Sequence, residues 1–356
     1  MKSVPLKMKA RRKNDMKWYD RIENTDDVVI SSRVRLAKNL SDFAFPHRLD
    51  ADLSKKAALC IKQALESNYG EKLVFTQINK NPEKNVLIEE HIISPDFAGE
   101  SEIYRALASD EDNSLAVMIN EEDHIRIQAI LPGFQLEKAY EKANKADDAI
   151  IKGANVAYHE TLGFLTSCPT NLGTGMRASV MLHLPALSAF GYIKSIVNLM
   201  NKIGLTVRGI YGEGSDARAN MYQLSNQVTL GISEEDTISK LKSAVEQIVE
   251  KEREMRKKLL ENPSSDSADT LWRSYGTLRY ARKIDTAEAS KLISNVRLAQ
   301  VCGMIPEIKE KNLVKLLFEI MPSHIVSRFP EASDSALRDK YRADLIRQFL
   351  SECDGK

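Results

Sequence analysis

The sequence has little of what several protein classes require. Its 4 cysteines are far apart and form no C-x-x-C pair, which argues against a zinc knuckle and a disulfide framework. No apolar run approaches the roughly 20 residues of a membrane-spanning helix. The basic residues near the start are not followed by the apolar segment of a secretory signal. We therefore expect a cytoplasmic protein with reduced thiols and no membrane partner.

The chain also lacks a net charge of either sign. Its 51 Lys and Arg residues oppose 50 Asp and Glu residues, a formal net charge of +1. Without a basic excess there is no long-range attraction to a phosphate backbone, so we expect no direct nucleic-acid partner. A hydrophobic content of 43% and a charged content of 28% are typical of globular proteins, and 356 residues suggest about two domains.

Hydrophobic periodicity divides the chain into two parts. Strand and helix patterns alternate in the first part, with strands predicted over 28–40, 72–78, 85–93 and on both sides of an acidic turn within 115–131, and a helix over 52–68. Residues 262–269 combine Pro, Ser and Asp with no apolar side chain larger than that of Ala268, and the patterns beyond them are helical. We predict an α+β domain over 25–262, an all-helical domain over 263–356, and a basic arm over 1–24.

Arginines stand beside turns and strand ends at five places: Arg33, Arg35, Arg126, Arg177 and Arg208. A guanidinium is a planar, permanently charged fork of donors that matches phosphate oxygens. The sequence has no P-loop motif, so converging arginines are its candidate for holding a polyphosphate. The alternative is that each arginine forms an ordinary surface ion pair.

Carboxylates form a second group of candidates. Glu121, Glu122 and Asp123 are consecutive, and Glu213 lies in a glycine-rich turn. Carboxylates are suited to hold and deprotonate a guanidinium, whose pKa above about 12 makes it a poor nucleophile. The alternative is a solvated acidic hairpin tip. Cys168 lies in an irregular loop without a histidine at a spacing that marks a covalent nucleophile, and we interpret it as a residue lining the site.

Four segments together resemble the phosphagen kinase family. They are SSRVRLAKNL from Ser31, NEEDHIRI from Asn120, CPTNLGTGMRASVMLHLPAL from Cys168 and RGIYGE from Arg208. The resemblance covers about residues 27–251. It implies an antiparallel β-sheet flanked by helices, ATP and Mg²⁺ as cofactors, and a guanidino group as phosphoryl acceptor. It also implies that Mg²⁺ is held by the ATP phosphates and water rather than by direct protein ligands.

The resemblance implies a role for each motif residue. Glu122 corresponds to the carboxylate that orients and deprotonates the guanidinium, Glu213 to the second guanidinium-binding carboxylate, and Glu121 to their neighbour near the magnesium waters. Cys168 corresponds to the cysteine on the substrate side. The nucleotide contacts are expected from Ser31, Ser32, Arg33, Val34, Arg35, His91, Arg126, Arg177, Ala178, Ser179, Val180, Met181, Arg208, Gly209, Ile210, Tyr211, Gly212 and Glu213.

Two departures separate the sequence from phosphagen kinases that act on small molecules. Only 30 residues precede Ser31, where those enzymes carry a helical domain that closes over a free amino acid, and a helical domain is added at the other end. Both departures resemble the bacterial branch of the family that phosphorylates arginine side chains of proteins. In that branch the added domain carries an Arg-Asp-x-x-Arg-Ala phosphoarginine pocket, here Arg338, Asp339 and Arg342. From spacing alone these residues would be an ordinary charged helix face.

The resemblance therefore implies an ATP-dependent kinase of protein arginine side chains that is regulated by its own product. The partners it implies are protein substrates with exposed arginine, a stress-response repressor, a zinc-binding activator protein, the Clp ATPase and protease that degrade marked proteins, and a second copy in a homodimer. Two alternatives stay open: a kinase of free arginine or another small guanidino compound, and an inactive adaptor that reads phosphoarginine.

Overall fold

The structure is a computed structural model that describes residues 16–21, 27–209, 217–261 and 266–351. Its strands are β1 (Val29–Lys38), β2 (Val74–Gln77), β3 (Ala106–Ser109), β4 (Leu115–Ile119), β5 (Ile125–Pro132), β6 (Tyr158–His159), β7 (Gly163–Phe164), β8 (Met176–His183), β9 (Leu205–Gly209) and β10 (Met221–Asn226). Short 3-10 turns lie at Trp18–Arg21 and Arg218–Asn220.

The helices of the first part of the chain are α1 (Ala51–Asn68), α2 (Lys84–Glu89), α3 (Pro95–Ala98), α4 (Leu136–Gly153), α5 (Pro185–Ala189), α6 (Ile193–Lys202) and α7 (Glu234–Leu259). Beyond them lie α8 (Asp266–Tyr280), α9 (Thr286–Val301), α10 (Leu313–Glu319), α11 (Pro322–Arg328) and α12 (Ser335–Ser351), which we call the helical region (266–351). No helix among the described residues is long and apolar enough to cross a bilayer.

Eight strands form one antiparallel sheet in the order β2-β3-β4-β5-β1-β8-β10-β9, and β6 with β7 forms a separate hairpin. The central strand β1 pairs with β5 on one side and with β8 on the other. The expectation of an antiparallel sheet flanked by helices is confirmed. Because β5 and β8 both pair with β1, Arg126 and Arg177 are brought onto the strands next to Arg33 and Arg35, and Arg208 lies on β9, two strands beyond β8.

The two faces of the sheet carry different side chains because side chains alternate along a strand. Val34 and Leu36 of β1 point into a core built with α1, α4, α6 and α7. Arg33 and Arg35 alternate with them and point to the opposite face, which we call the arginine face. A one-residue irregularity between Val29 and Ser31 resets the alternation before these arginines.

The helical region shares a second core with the arginine face. Met118 and Ile130 of the sheet belong to one apolar cluster with Ile293 of α9 and Phe318 of α10. The 3-10 turn before β1 inserts Tyr19, whose ring stacks on Phe318 with centroids 4.6 Å apart. The helical region therefore covers part of the sheet face on which the arginines lie.

One element differs in type from the sequence prediction. Residues 85–93 were expected to form a strand, but Lys84–Glu89 is the helix α2, followed by His91 with a φ of 60°. The apolar run within it is too short for periodicity to separate helix from strand. Tertiary contacts favour the helix, because Leu87 and Ile88 pack against the second core and α2 packs on α11.

Candidate active site

The five candidate arginines converge on the arginine face. Arg35 of β1 lies directly opposite Arg177 of β8 in the strand register. The charges of Arg33, Arg126 and Arg177 all act on Arg35, and those of Arg126 and Arg208 act on Arg177. Strand pairing therefore assembles cations that are far apart in the sequence.

The cluster has the electrostatic character of an anion site. Burial, followed by the charges of Arg33, Arg126 and Arg177, lowers the pKa of Arg35 well below its ordinary value. Among the described residues, Nε of Arg35 and Nε of Arg177 are buried and have no hydrogen-bond partner. Crowded like charges with unused donors are stabilised by a polyanion, so these residues fit the phosphates of a nucleotide.

Arg33 is held in place by two neighbouring strands. Its Nη2 donates to Oε1 of Gln223 in β10 at 2.5 Å, and its Nε donates to Oγ of Ser179 in β8 at 3.4 Å. His91 lies beside it, and burial together with the charge of Arg33 lowers the pKa of His91 to about 3. His91 is therefore neutral at physiological pH and adds no further positive charge to the cluster.

The turn between β4 and β5 places Glu121 against the arginines. Both carboxylate oxygens of Glu121 lie 2.6 Å from Nη1 of Arg126, and Oγ of Ser94 donates to Oε1 at 2.5 Å. Burial opposes ionisation of Glu121, but Arg126 and the bond from Ser94 hold its pKa below the ordinary value. Glu121 is thus an ionised carboxylate fixed at the edge of the cluster.

Glu122 has the opposite electrostatic environment. Its side chain is exposed, and burial of part of it together with the charges of Asp123 and Glu121 raises its pKa, an effect that Arg126 only partly offsets. A carboxylate with a raised pKa is a better proton acceptor. Of the three consecutive carboxylates in this turn, only Glu122 is exposed, since Glu121 and Asp123 are buried.

Asp123 ties the acidic turn to the loop that carries Cys168. Its Oδ1 accepts from Nδ2 of Asn39 and from the backbone amide of Ser167, each at 2.6 Å. Oγ of Ser167 donates in turn to the backbone carbonyl of Glu122 at 2.8 Å. Cys168 is a free thiol, with its Sγ 3.0 Å from Oγ1 of Thr170. Cys168 and Glu122 are therefore held on one connected framework.

The other expected nucleotide contacts divide between the two faces. Ser179 and Met181 alternate with the core residues of β8 and lie on the arginine face, Ser31 is buried at the start of β1, and Gly209 follows Arg208 at the end of β9. Ile210, Tyr211, Gly212 and Glu213 lie outside the described residues.

Four expected contacts have side chains that the structure separates from the arginines. Val34, Ala178 and Val180 belong to the core beneath the sheet. Ser32 donates to the carbonyl of Gly133 and accepts from the amide of Gln135. Strand alternation is the reason, because neighbours of a site residue along a strand point away from it.

Sequence reasoning missed two residues that shape the site, Ser94 and Gln223. Ser94 is the N-cap of α3 and also donates a hydrogen bond to Glu121. The side-chain oxygen of Gln223 accepts a hydrogen bond from Arg33. The available signals were weak. A Ser-Pro pair marks a helix start, and Gln223 lies opposite Arg208 on the adjacent strand, a pairing that the sequence does not show.

The Arg-Asp-x-x-Arg-Ala motif lies within α12, and its two arginines differ in burial and in their hydrogen-bond partners. Arg338 is half-buried and donates to the carbonyl of Ser333 at 2.7 Å. Arg342 is buried, and it donates to the carbonyls of Ile320 and Ile284 and to Oδ1 of Asp339. Arg342 therefore holds α12 against the preceding helices, and Arg338 is the more accessible of the two cations.

Comparison with known proteins agrees with this geometry. The family model "ATP:guanido phosphotransferase, C-terminal catalytic domain" matches residues 53–255, and "Protein-arginine kinase McsB C-terminal domain" matches residues 264–356. The protein-arginine kinase of Syntrophomonas wolfei is 47% identical over 329 residues, 91% of this chain and 92% of the relative. That of Geobacillus stearothermophilus is 42% identical over 338 residues, 94% of this chain and 93% of the relative. The chain belongs to the protein-arginine kinase family.

Protein-arginine kinases are phosphotransferases, so the expected family and enzyme class are confirmed. Solved structures with the same fold include lombricine kinase, with a TM-score of 0.55, 24% identity, and coverage of 68% of this chain and 72% of that one. Duplicated taurocyamine kinase of Schistosoma mansoni has a TM-score of 0.59 at 24% identity, covering 74% of this chain and 40% of that one. At this identity the likeness establishes the shared fold alone.

Proposed function

We propose that this chain transfers the γ-phosphoryl group of ATP to the guanidino group of arginine side chains in proteins. One observation carries the proposal: five arginines converge on one sheet face beside an ionised Glu121 and an exposed Glu122 whose pKa is raised. Relatives named protein-arginine kinase, which align along nearly the whole chain, support a protein as acceptor.

In the proposed reaction the arginine cluster binds and orients the phosphates. Arg33, Arg35 and Arg177 would neutralise charge on the transferring group, which is the main requirement of phosphoryl transfer. The acceptor guanidinium gives a proton to Glu122, its nitrogen forms the bond to phosphorus, and the bond from phosphorus to the leaving ADP oxygen breaks. Glu213 is proposed as the second carboxylate that holds the guanidinium.

Magnesium is proposed to accompany the nucleotide. The carboxylate beside the cluster, Glu121, already accepts from Arg126 and Ser94, which suits a contact with magnesium waters better than direct coordination. When bound, Mg²⁺ supplies additional neutralisation of phosphate charge. Arg33, Arg35, Arg126, Arg177 and Arg208 would hold the nucleotide itself.

The helical region is proposed as a regulatory and assembly domain, with its boundary before α8, which begins at Asp266. Arg338 and Asp339 are proposed to receive phosphoarginine, with Arg342 holding the motif in position. We further propose a cytoplasmic homodimer that is controlled by a zinc-binding activator. It would mark proteins for the Clp protease and inactivate a stress-response repressor.

The proposal is tested by incubating the protein with MgATP and three acceptors: an arginine-containing protein, the same protein with its arginines replaced by lysine, and free arginine. We expect acid-labile phosphate on the first acceptor alone, located on arginine by mass spectrometry. Transfer to free arginine at a comparable rate would favour the small-guanidine kinase. Binding of phosphoarginine without transfer to any acceptor would favour the inactive adaptor.

A further inference from the structure

The end of helix α2 is anchored in the helical region. Both carboxylate oxygens of Glu89 accept from the backbone amide of Ser323, at 2.9 and 3.1 Å, and one of them also accepts from the amide of His324 at 3.1 Å. The two amides belong to the first turn of α11, where backbone amides have no partner within their own helix. Glu89 therefore joins α2 to α11 by hydrogen bonds that neither helix makes alone.

The next residue, Glu90, is held by the turn that precedes β1. Its side chain is 1% exposed, and its Oε1 accepts from the hydroxyl of Tyr19 at 2.9 Å. The backbone carbonyl of Glu90 accepts from Nε1 of Trp18 at 3.2 Å. Two consecutive residues at the end of α2 are thus fixed by contacts outside that helix.

Helix α2 depends on these contacts for its position. It has six residues, none of them fully buried, and the side chain of Glu83 makes no hydrogen bond that caps its start. A helix of this length is not stable by itself. Its apolar residues Leu87 and Ile88 pack against the second core, and α2 packs on α11. The helical region therefore decides where α2 ends.

His91 follows directly and faces the arginine cluster. The charge of Arg33 acts on its ring. The same ring lies edge-on to the ring of Phe318 in α10, with centroids 5.8 Å apart and an angle of 81° between the planes. His91 is therefore within reach of an arginine of the sheet and of an aromatic side chain of the helical region.

The backbone of His91 has a conformation that its surroundings must impose. Its φ of 60° lies in the left-handed region, which is uncommon for residues other than glycine. Its carbonyl accepts from Nε2 of Gln128 in β5 at 2.7 Å. Ile92 and Ile93 are buried in the second core and hold the chain that follows. Support from the preceding side comes through α2 and its bonds to α11.

We propose that Glu89 and Phe318 are positioning residues for the nucleotide: Glu89 by holding α2 on α11, and Phe318 by its ring contact, they fix His91 beside Arg33. This inference rests on the proposed function. A nucleotide binds with full affinity only to molecules in which His91 is in place, so a looser His91 weakens the apparent affinity. The inference gives α10 and α11 a part in nucleotide binding that does not involve the motif at Arg338.

The test compares Glu89→Ala with a matched control, Asp50→Ala. Asp50 also accepts from two backbone amides, those of Asp52 and Leu53 at 2.9 and 2.7 Å, but it precedes α1, which packs on the opposite face of the sheet. We expect Glu89→Ala to raise the dissociation constant of MgATP about tenfold in calorimetric titration, with KM for the protein acceptor changed less than about twofold. Asp50→Ala should match the wild type in both constants, and thermal unfolding of both variants reports their folding.

A second variant approaches His91 from the helical region and keeps the inference testable if Glu89→Ala does not fold. Phe318→Leu keeps an apolar side chain in the second core but removes the ring contact, and it should weaken MgATP binding by about threefold or more. Unchanged MgATP affinity in a folded Glu89→Ala or Phe318→Leu protein would overturn the inference. An equal loss of affinity in Asp50→Ala would do the same.

A double variant shows whether the effect passes through His91. His91→Asn removes the ring, and asparagine tolerates a positive φ better than most residues. If Glu89 acts through His91, adding Glu89→Ala to His91→Asn should change the MgATP dissociation constant by less than about twofold. Losses that multiply would show that Glu89 acts by another route, and the inference would be wrong.

The outcomes also distinguish this inference from the proposed function. A wild-type protein that does not bind MgATP contradicts both. If the wild type binds MgATP and phosphorylates protein arginine, but the Glu89→Ala and Phe318→Leu variants bind MgATP normally, only the positioning role fails.

Discussion

Arg35 lies directly opposite Arg177 across β1 and β8, and the Nε of each is buried without a partner among the described residues. Two like charges on adjacent strands disfavour the folded protein unless an anion lies between them. A polyphosphate bound here would relieve the repulsion between the two guanidinium groups. The arrangement that we propose to bind a nucleotide should also make the nucleotide-free protein less stable than it would be without this repulsion.

Removal of one of these charges should therefore have opposite effects on stability and binding. Arg35→Met should raise the free energy of unfolding of the nucleotide-free protein by about 1 kcal/mol and weaken ATP binding by about 100-fold. Calorimetric titration and urea unfolding measure the two effects. Arg208→Met is the control: Arg208 is exposed, so its loss should change stability by less than about 0.5 kcal/mol. A less stable Arg35→Met protein would contradict the prediction.

Glu122→Gln should abolish transfer while ATP still binds, because the amide keeps the shape of the side chain but cannot accept the guanidinium proton. In the wild type the transfer rate should fall as pH drops through the raised pKa of Glu122, since only the ionised form accepts. Single-turnover rates and ATP affinity across pH measure both. Transfer by Glu122→Gln at near wild-type rate would remove Glu122 from its proposed role.

Acid should destabilise the protein through buried neutral histidines. Burial lowers the pKa of His91 to about 3 and that of His124 to about 4. It also lowers the pKa of His183 well below its ordinary value. The unfolded chain binds these protons below about pH 6.5 and the folded protein does not, so stability falls as pH decreases from there.

Each such histidine contributes a slope of up to about 1.4 kcal/mol per pH unit below its unfolded pKa. His124→Asn removes one contribution and keeps an acceptor for the amide of Leu40, which bonds Nδ1 of His124 at 3.2 Å. Urea unfolding between pH 7.5 and 5 should show a shallower decrease for the variant. Parallel curves would show that His124 does not stay neutral in the folded protein.

Loss of either arginine of the motif on α12 should change the free energy of unfolding by a different amount. Arg342→Ala leaves the buried carbonyls of Ile284 and Ile320 without their donor and should destabilise the protein by about 3 kcal/mol or more. Arg338→Ala should change stability by less than about 0.5 kcal/mol and weaken phosphoarginine binding. Thermal unfolding and titration with phosphoarginine test this pair, and equal destabilisation by both would contradict it.

The sequence was most informative where a local pattern met a specific motif. The alternation around Arg33 and Arg35 predicted a strand with both guanidinium groups on one side, and β1 has that form. The turn at Glu121 was expected between two strands and lies between β4 and β5. Such features depend on residues near one another in the chain, so periodicity reveals them.

It was least informative where a residue's environment comes from distant segments. The run 85–93 became helix α2 because it packs on α11, more than 200 positions later. The spacing within α12 predicts that Arg342 is a surface charge, but its guanidinium donates to the backbone carbonyls of Ile284 and Ile320. Neither contact leaves a signal in local spacing.

The sequence by itself determined the family, the phosphotransferase class and the candidate residues for phosphate and guanidine binding, because those depend on side-chain chemistry and on motifs read along the chain. Only the tertiary structure decided which face each side chain occupies, which carboxylate is paired with an arginine, and that α11 holds the end of α2. Those properties arise from strand pairing and burial, which bring together residues that no periodicity relates.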